Sequence, residues 1–221
     1  MPQLDRRLFM LGAPLALAGC TRAMPDLALA LPDFELPFGG GYGPRYDNGH
    51  PVASVDTLRV NSAYLRREVA YSGRQKAGTL VVDPPSRYLY LVSGGGRALR
   101  YGVGVGREGF AWSGVAQVKR KQVWPTWTPP AEMQRRQPES ARYADGMPGG
   151  PANPLGARAL YLYQGSRDTM FRIHGTNDPS SIGRSMSSGC IRLLNQDIID
   201  LYNRVPIGTR VVVLGAGSHV A

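Results

Sequence analysis

The sequence predicts a mainly β domain, a sandwich-like or barrel-like sheet with one or two short helices. Three observations predict it. The 221 residues include 28 glycines and 18 prolines, about a fifth of the chain, which disfavours long helices yet stays below the low-complexity range. From Gly78 to Leu214, short β-branched and aromatic runs recur between glycine and proline turns. Only Asn195 to Val205 sustains apolar residues at helical spacing over several turns.

Each element has its own local reason. Thr79-Leu80-Val81-Val82-Asp83 is a strand, closed by Pro84-Pro85. Arg87 to Val92 alternates polar and apolar residues, and Gly94-Gly95-Gly96 turns the chain back. Leu99 to Val105 and Val115 to Val123 extend the pattern; Lys119-Arg120-Lys121 in the second reads as a solvated edge strand. Trp124 to Pro130 is rigid and aromatic, either the wall of a cleft or the brace of a long loop. Pro130 to Arg136 allows a short helix, and Asp145 to Gly156 is a loop. Ala159 to Tyr163 and Met170 to His174 are strands. Asn195 suits a helix N-cap and Asp197 the positive helix start. Ile198, Leu201, Tyr202 and Val205 share one helical face, which Pro206 and Gly208 end. Thr209 to Leu214 is the last strand, and residues 216–221 are a loose tail.

The N-terminal third has a different character. Residues 1–19 read as an export signal: Arg6-Arg7, then a short apolar core from Leu8 to Ala18, too short to span a membrane. Arg6-Arg7-Leu8-Phe9-Met10 resembles a twin-arginine signal, and Leu17-Ala18-Gly19-Cys20 a bacterial lipobox. Cys20 would then carry lipid and anchor a periplasmic protein to a membrane. Without lipidation, a Cys20–Cys190 disulfide becomes conceivable. Residues 20–76 read as a linker and lead-in, proline- and glycine-rich to about Val55, whose aromatics (Tyr42 and Tyr46 among them) could instead pack on the domain. The formal charge is +10, which suits anionic partners. No arginine-rich run, finger spacing or basic-aromatic motif points to nucleic acid.

The chemistry concentrates between Ile173 and Leu194. Cys190 is one of two cysteines and His174 one of three histidines. A thiol needs a neighbouring base to become a strong nucleophile. His50 lies in a Gly/Pro-rich stretch and His219 near the C-terminus, which leaves His174. Gly175 lets the chain turn beside the imidazole, and Gly189 lets backbone approach a substrate. The N–H groups of Gly189 and Cys190, beside Ser188, are candidate oxyanion donors. Arg192, two residues on, faces the same way as Cys190 in an extended chain, to hold a thiolate or a substrate carboxylate, or to brace a loop. A backbone carbonyl, Asp168 or Asp178 could orient His174. The cysteines and histidines lack metal-ligand spacing, and the site calls for no cofactor. A non-catalytic lipoprotein, with Cys190 and His174 as packing residues, is the alternative reading.

His174-Gly175-Thr176, a gap, then Ser188-Gly189-Cys190-Ile191-Arg192 resembles the signature of the L,D-transpeptidase catalytic domain (YkuD) family. The likeness continues through Asn195-Gln196-Asp197, Asp200-Leu201-Tyr202 and Gly208 to Val213, and upstream through Gly78 to Val92, Trp124 to Met133 and Asn153 to Tyr163. It covers residues 77–215. Many members carry a second histidine where this chain has Ser188. The resemblance implies an L,D-transpeptidase-like fold with Cys190 as nucleophile and His174 as general acid/base. It implies a peptidoglycan tetrapeptide stem as donor, D-alanine as leaving group, and acylation by carbapenems. It favours a carbonyl as the third group. The acceptor is a second stem, an outer-membrane protein or water, the last making the enzyme a hydrolase.

Overall fold

Thirteen strands are found among the described residues of this computed structural model, which are 41–106, 112–186, 190–215 and 217–220. They are β1 (Arg45–Asp47), β2 (His50–Val52), β3 (Arg67–Ala70), β4 (Leu80–Asp83), β5 (Tyr88–Gly94), β6 (Arg97–Gly102), β7 (Gly104–Gly106), β8 (Gly114–Val123), β9 (Arg158–Gln164), β10 (Arg167–His174), β11 (Ser185–Met186), β12 (Ile191–Arg192) and β13 (Arg210–Val213). Two α-helices join them, α1 (Ala131–Arg136) and α2 (Asn195–Arg204). The expected signal, Cys20, residues 21–40 of the expected linker and the pair Ser188-Gly189 lie outside the described residues.

Eleven strands form one sheet in the order β11-β7-β12-β10-β9-β8-β13-β4-β5-β6-β3. β6 and β7 stand near opposite ends of that order, yet only Val103 separates them in the chain. The sheet therefore has to roll until its ends approach. The core agrees: Leu80 (β4), Tyr101 (β6), Val105 (β7), Leu160 (β9), Ile173 (β10) and Ile191 (β12) share one buried cluster with Ile198 and Leu201 of α2. Fully burying each such side chain contributes about 1.5–3 kcal/mol. β4 is buried on both faces, because Val81 points away into a second cluster with Tyr71, Tyr90 and Ala98.

Four sequence expectations change. Leu99 to Val105 is two strands, since the chain leaves one end of the sheet and enters the other at Val103. β8 is no edge: it lies between β9 and β13, with a bulge between Val118 and Arg120. Its cations are used internally. Lys121 Nζ donates to the carbonyls of Tyr202 and Val205 (2.7 and 2.6 Å) at the C-terminal end of α2, and Arg120 lies over the Tyr161 ring. The cap of α2 is Leu194, with no side-chain cap bond; Asn195 turns its Oδ1 to the N–H of Ala157 (2.9 Å). The tail is pinned, with Val220 N–H on Asp83 Oδ2 (3.2 Å).

Residues 41–76 are packed rather than extended as a linker. β1 and β2 form a hairpin whose Asp47 binds Arg158 through both carboxylate oxygens (2.7 and 2.8 Å) and accepts from Trp124 Nε1 (2.9 Å). Tyr42, Val55 and Val60 close over Ile182 and Leu194. Trp124 thus braces the loop it opens, against Val52, Ala157 and Ile199. Its tyrosines divide: Tyr42 is buried, while Tyr46 is exposed.

Candidate active site

His174 closes β10, where the strand is hydrogen-bonded on both sides. It pairs with Ala159 of β9 and, in parallel register, with Arg192 of β12. Its carbonyl accepts from Leu193 N–H (2.8 Å). The side chain is almost fully buried, at 3% exposure. Its Nδ1 lies 2.6 Å from the carbonyl of Gly175. A carbonyl only accepts, so the proton sits on Nδ1 and Nε2 keeps its lone pair. Burial pushes the imidazole down to about 4; Arg192 and then Arg172 add to that, while the Gly175 bond opposes it. The ring is therefore neutral near pH 7.

Gly175 is fixed by its neighbours. A Cβ there would stand 2.3 Å from Asn195 Oδ1 and 3.0 Å from the N–H nitrogen of Ala157. Gly156 also packs against Asn195 Oδ1, and against the backbone of Gly175 and Thr176. Asn195 thus ties the 156–157 turn beside Gly175 and holds the carbonyl that orients His174. Gly175 donates its N–H to Arg158 O (3.0 Å). Its contribution is the carbonyl and the close approach of backbone.

Cys190 stands at the lip of β12, half-buried, a thiol with its carbonyl accepting from Gly106 N–H (3.3 Å). Ile173 pairs with Ile191, so continuing the register sets Cys190 beside Arg172. Side chains alternate along a strand, and paired residues share a face. Ile173 and Ile191 point into the core. Cys190, Arg192, Arg172 and His174 therefore all point to the other face. The Cα atoms of Cys190 and His174 are one strand and two residues apart, roughly 8 Å, within the combined reach of a thiol and an imidazole. Arg192 feels the charge of Cys190 and of Asp178, both opposing the effect of its burial.

Neither aspartate considered for His174 is used for it. Asp168 is chelated by Arg172 (2.7 and 2.8 Å), and Asp178 caps the turn at Pro179–Ser181 through Ser180 N–H (3.1 Å). His50 packs on Trp124, ring centroids 4.7 Å apart, and His219 lies by Ser86. Ser188 and Gly189 lie outside the described residues. Asn195, expected as a helix cap and as part of the family likeness, is a supporting residue whose tie to Ala157 was not anticipated; Asn and cap overlap so strongly that no local signal separates the two uses. Among the described residues, no group of three or more His, Cys, Asp and Glu side chains is arranged to hold a metal ion.

Comparison with known proteins adds an independent line. The family described as YkuD, L,D-transpeptidase catalytic domain, matches residues 77–213. The chain is 38% identical over 217 residues to the "Probable L,D-transpeptidase ErfK/SrfK" of Escherichia coli K12, covering 91% of this chain and 67% of that one. It is 35% identical over 139 residues to the "Probable L,D-transpeptidase YbiS" of the same organism, covering 61% of this chain but 43% of that protein. A crystal structure from Brucella melitensis, described as a probable carnitine operon oxidoreductase CaiA, is 47% identical, with a TM-score of 0.50 over 72% of this chain and 99% of that one.

Proposed function

Because the chain belongs to the L,D-transpeptidase catalytic domain family, we propose that it is a peptidoglycan L,D-transpeptidase with Cys190 as nucleophile. The observation that carries this reading is the tautomer of His174. The Gly175 carbonyl holds the proton on Nδ1, leaving the Nε2 lone pair on the sheet face that Cys190 shares.

The steps follow from that arrangement. His174 Nε2 takes the Cys190 proton, and the thiolate attacks the carbonyl between the diamino acid and the terminal D-alanine of a tetrapeptide stem. The Arg192 guanidinium, on the same face, meets the negative charge. Collapse of the tetrahedral intermediate breaks the C–N bond, and the imidazolium returns the proton to the departing D-alanine amine. A thioester remains. An amine of a second stem, or of a wall-linked protein, then gives its proton to His174, attacks the thioester and releases Cys190. Ser188, Gly189 and the Cys190 N–H serve as oxyanion donors in this scheme. Water in place of the amine gives hydrolysis.

Intact-mass spectrometry after mixing with a disaccharide tetrapeptide tests the proposal. The expected result is a covalent adduct short of one D-alanine, absent in Cys190→Ala, and an adduct with a carbapenem at the same residue. Full turnover by Cys190→Ala would overturn Cys190 as the nucleophile, and no adduct or turnover in the parent protein would favour a non-catalytic wall-associated lipoprotein. Muropeptide profiles with and without the gene separate cross-linking, protein attachment and hydrolysis. We also propose export and lipid attachment at Cys20, which places the enzyme in the periplasm on a membrane; labelled palmitate lost in Cys20→Ser tests that.

A further inference from the structure

The face that carries Cys190 continues across three more strands, and its next row is not used by the chemistry above. Continuing the β10–β12 register sets Cys190 beside Arg172; Arg172 pairs with Tyr161 on β9, and Tyr161 with Arg120 on β8. Leu160 and Leu162 point into the core, so Tyr161 points to the site face. Lys121 reaches α2 on the core side, so Arg120 points to the site face as well. The Tyr161 ring takes guanidinium groups from both flanking strands, Arg172 at 4.5 Å and Arg120 at 4.7 Å from its centroid. Its hydroxyl bonds Gln122 Oε1.

The two arginines differ in what they have left to offer. Arg172 is neutralised by the bidentate Asp168. Arg120 is exposed, and no ion pair joins it among the described residues. The contact with the Tyr161 ring restrains its guanidinium, whose N–H fork suits a planar, bidentate acceptor. Its strand, β8, stands three strand spacings from β12, by way of β9 and β10, so Arg120 sits roughly 14 Å from Cys190. Extended peptide covers that distance in about four residues.

We propose that Arg120, held over the Tyr161 ring, is a binding subsite for a carboxylate of the stem peptide, roughly 14 Å across the sheet face from the carbonyl that Cys190 attacks. This deepens the transpeptidase reading and rests on it for the identity of the peptide. The subsite discriminates acidic stems from stems whose carboxylates are amidated. The apolar face of Tyr161 only aims the group that binds.

Calorimetry separates this from the chemistry. In a Cys190→Ala background, which cannot be acylated, a tetrapeptide stem with free carboxylates is compared with its amidated counterpart. Arg120→Ala is expected to weaken the free acid about tenfold and the amide less than twofold, so the preference between them collapses. Arg120→Lys, which keeps the charge and loses the fork, is expected to lose about threefold. An unchanged preference in Arg120→Ala, or equal weakening of both peptides, overturns the subsite. Failure of the parent enzyme to form an acyl adduct with either peptide instead overturns the transpeptidase reading, and the calorimetric comparison still decides the subsite.

Discussion

At the scale of single residues, the site depends on a backbone oxygen held by packing. Gly175→Ala places a Cβ 2.3 Å from Asn195 Oδ1, so one of them has to move, and the carbonyl on His174 moves with them. A displacement near 1 Å at a positioned base costs about 100-fold in rate. We expect a loss of that order in kcat/KM, with about 1–3 kcal/mol of stability lost to overpacking. Gly43→Ala, whose Cβ meets nothing within 4 Å, is the control and should change neither.

The buried imidazole also sets a pH dependence. Its folded value is about 4 against 6.5 for an ordinary histidine. Between those values the unfolded chain binds more protons, so stability falls as pH drops through the window, by about 3 kcal/mol near pH 4. Asp197 acts in the opposite sense: burial outweighs Arg66 and Tyr42 and lifts it to about 7, so its proton stabilises the fold as pH falls from about 7 toward 3.8. The two partly cancel in the native protein. His174→Gln removes only the first, so its denaturant midpoint should fall less between pH 7 and 4.5 than that of the parent. Equal slopes would show a solvated imidazole.

At the scale of elements, runs of charge carry a lesson about legibility. Lys119-Arg120-Lys121 looks like a solvated edge because cations seldom occupy a central strand. The bulge at Lys119 resolves the conflict by turning Lys121 inward to the last carbonyls of α2. No residue of β8 announces those carbonyls, which lie 81 and 84 positions after Lys121. Lys121→Met should lower stability by about 1–2 kcal/mol through the two orphaned carbonyls, or roughly 2–8 °C in Tm for a domain of this size. A Tm unchanged within error would mean that solvent satisfies the helix end. Elements that rest on local pattern were legible: the strand at Leu80–Asp83, the triglycine turn after β5, and the helix from Asn195. Those that rest on distant partners, such as the split at Val103, were not.

At the scale of the molecule, proline and glycine in residues 41–60 disguise a packed segment as a tether. The structure turns that into a prediction. Removing residues before 77 strips Tyr42, Val55 and Val60 from Ile182 and Leu194, deletes β3, and leaves Arg158 buried without Asp47. An abandoned buried charge alone costs about 3–5 kcal/mol. The fragment 77–221 should aggregate or melt more than about 10 °C below the longer chain. A melting point within about 5 °C of it would restore the tether reading. Cys190 and His174 stand out in the sequence because each residue type is rare in the chain. A backbone carbonyl was among the groups expected to orient His174, but that it is the carbonyl of Gly175 was not legible, because every residue has one.

The single residue between β6 and β7 makes the rolled sheet a hoop with a one-link clasp. Val103 donates its N–H to Arg87 O and accepts from Gly183 N–H, so the clasp is stitched to both rims. The strands bearing the thiol therefore cannot peel away while β5 and β6 stay in place. Anything that loosens the far rim reaches the nucleophile through one valine, with no intervening loop to absorb the slack.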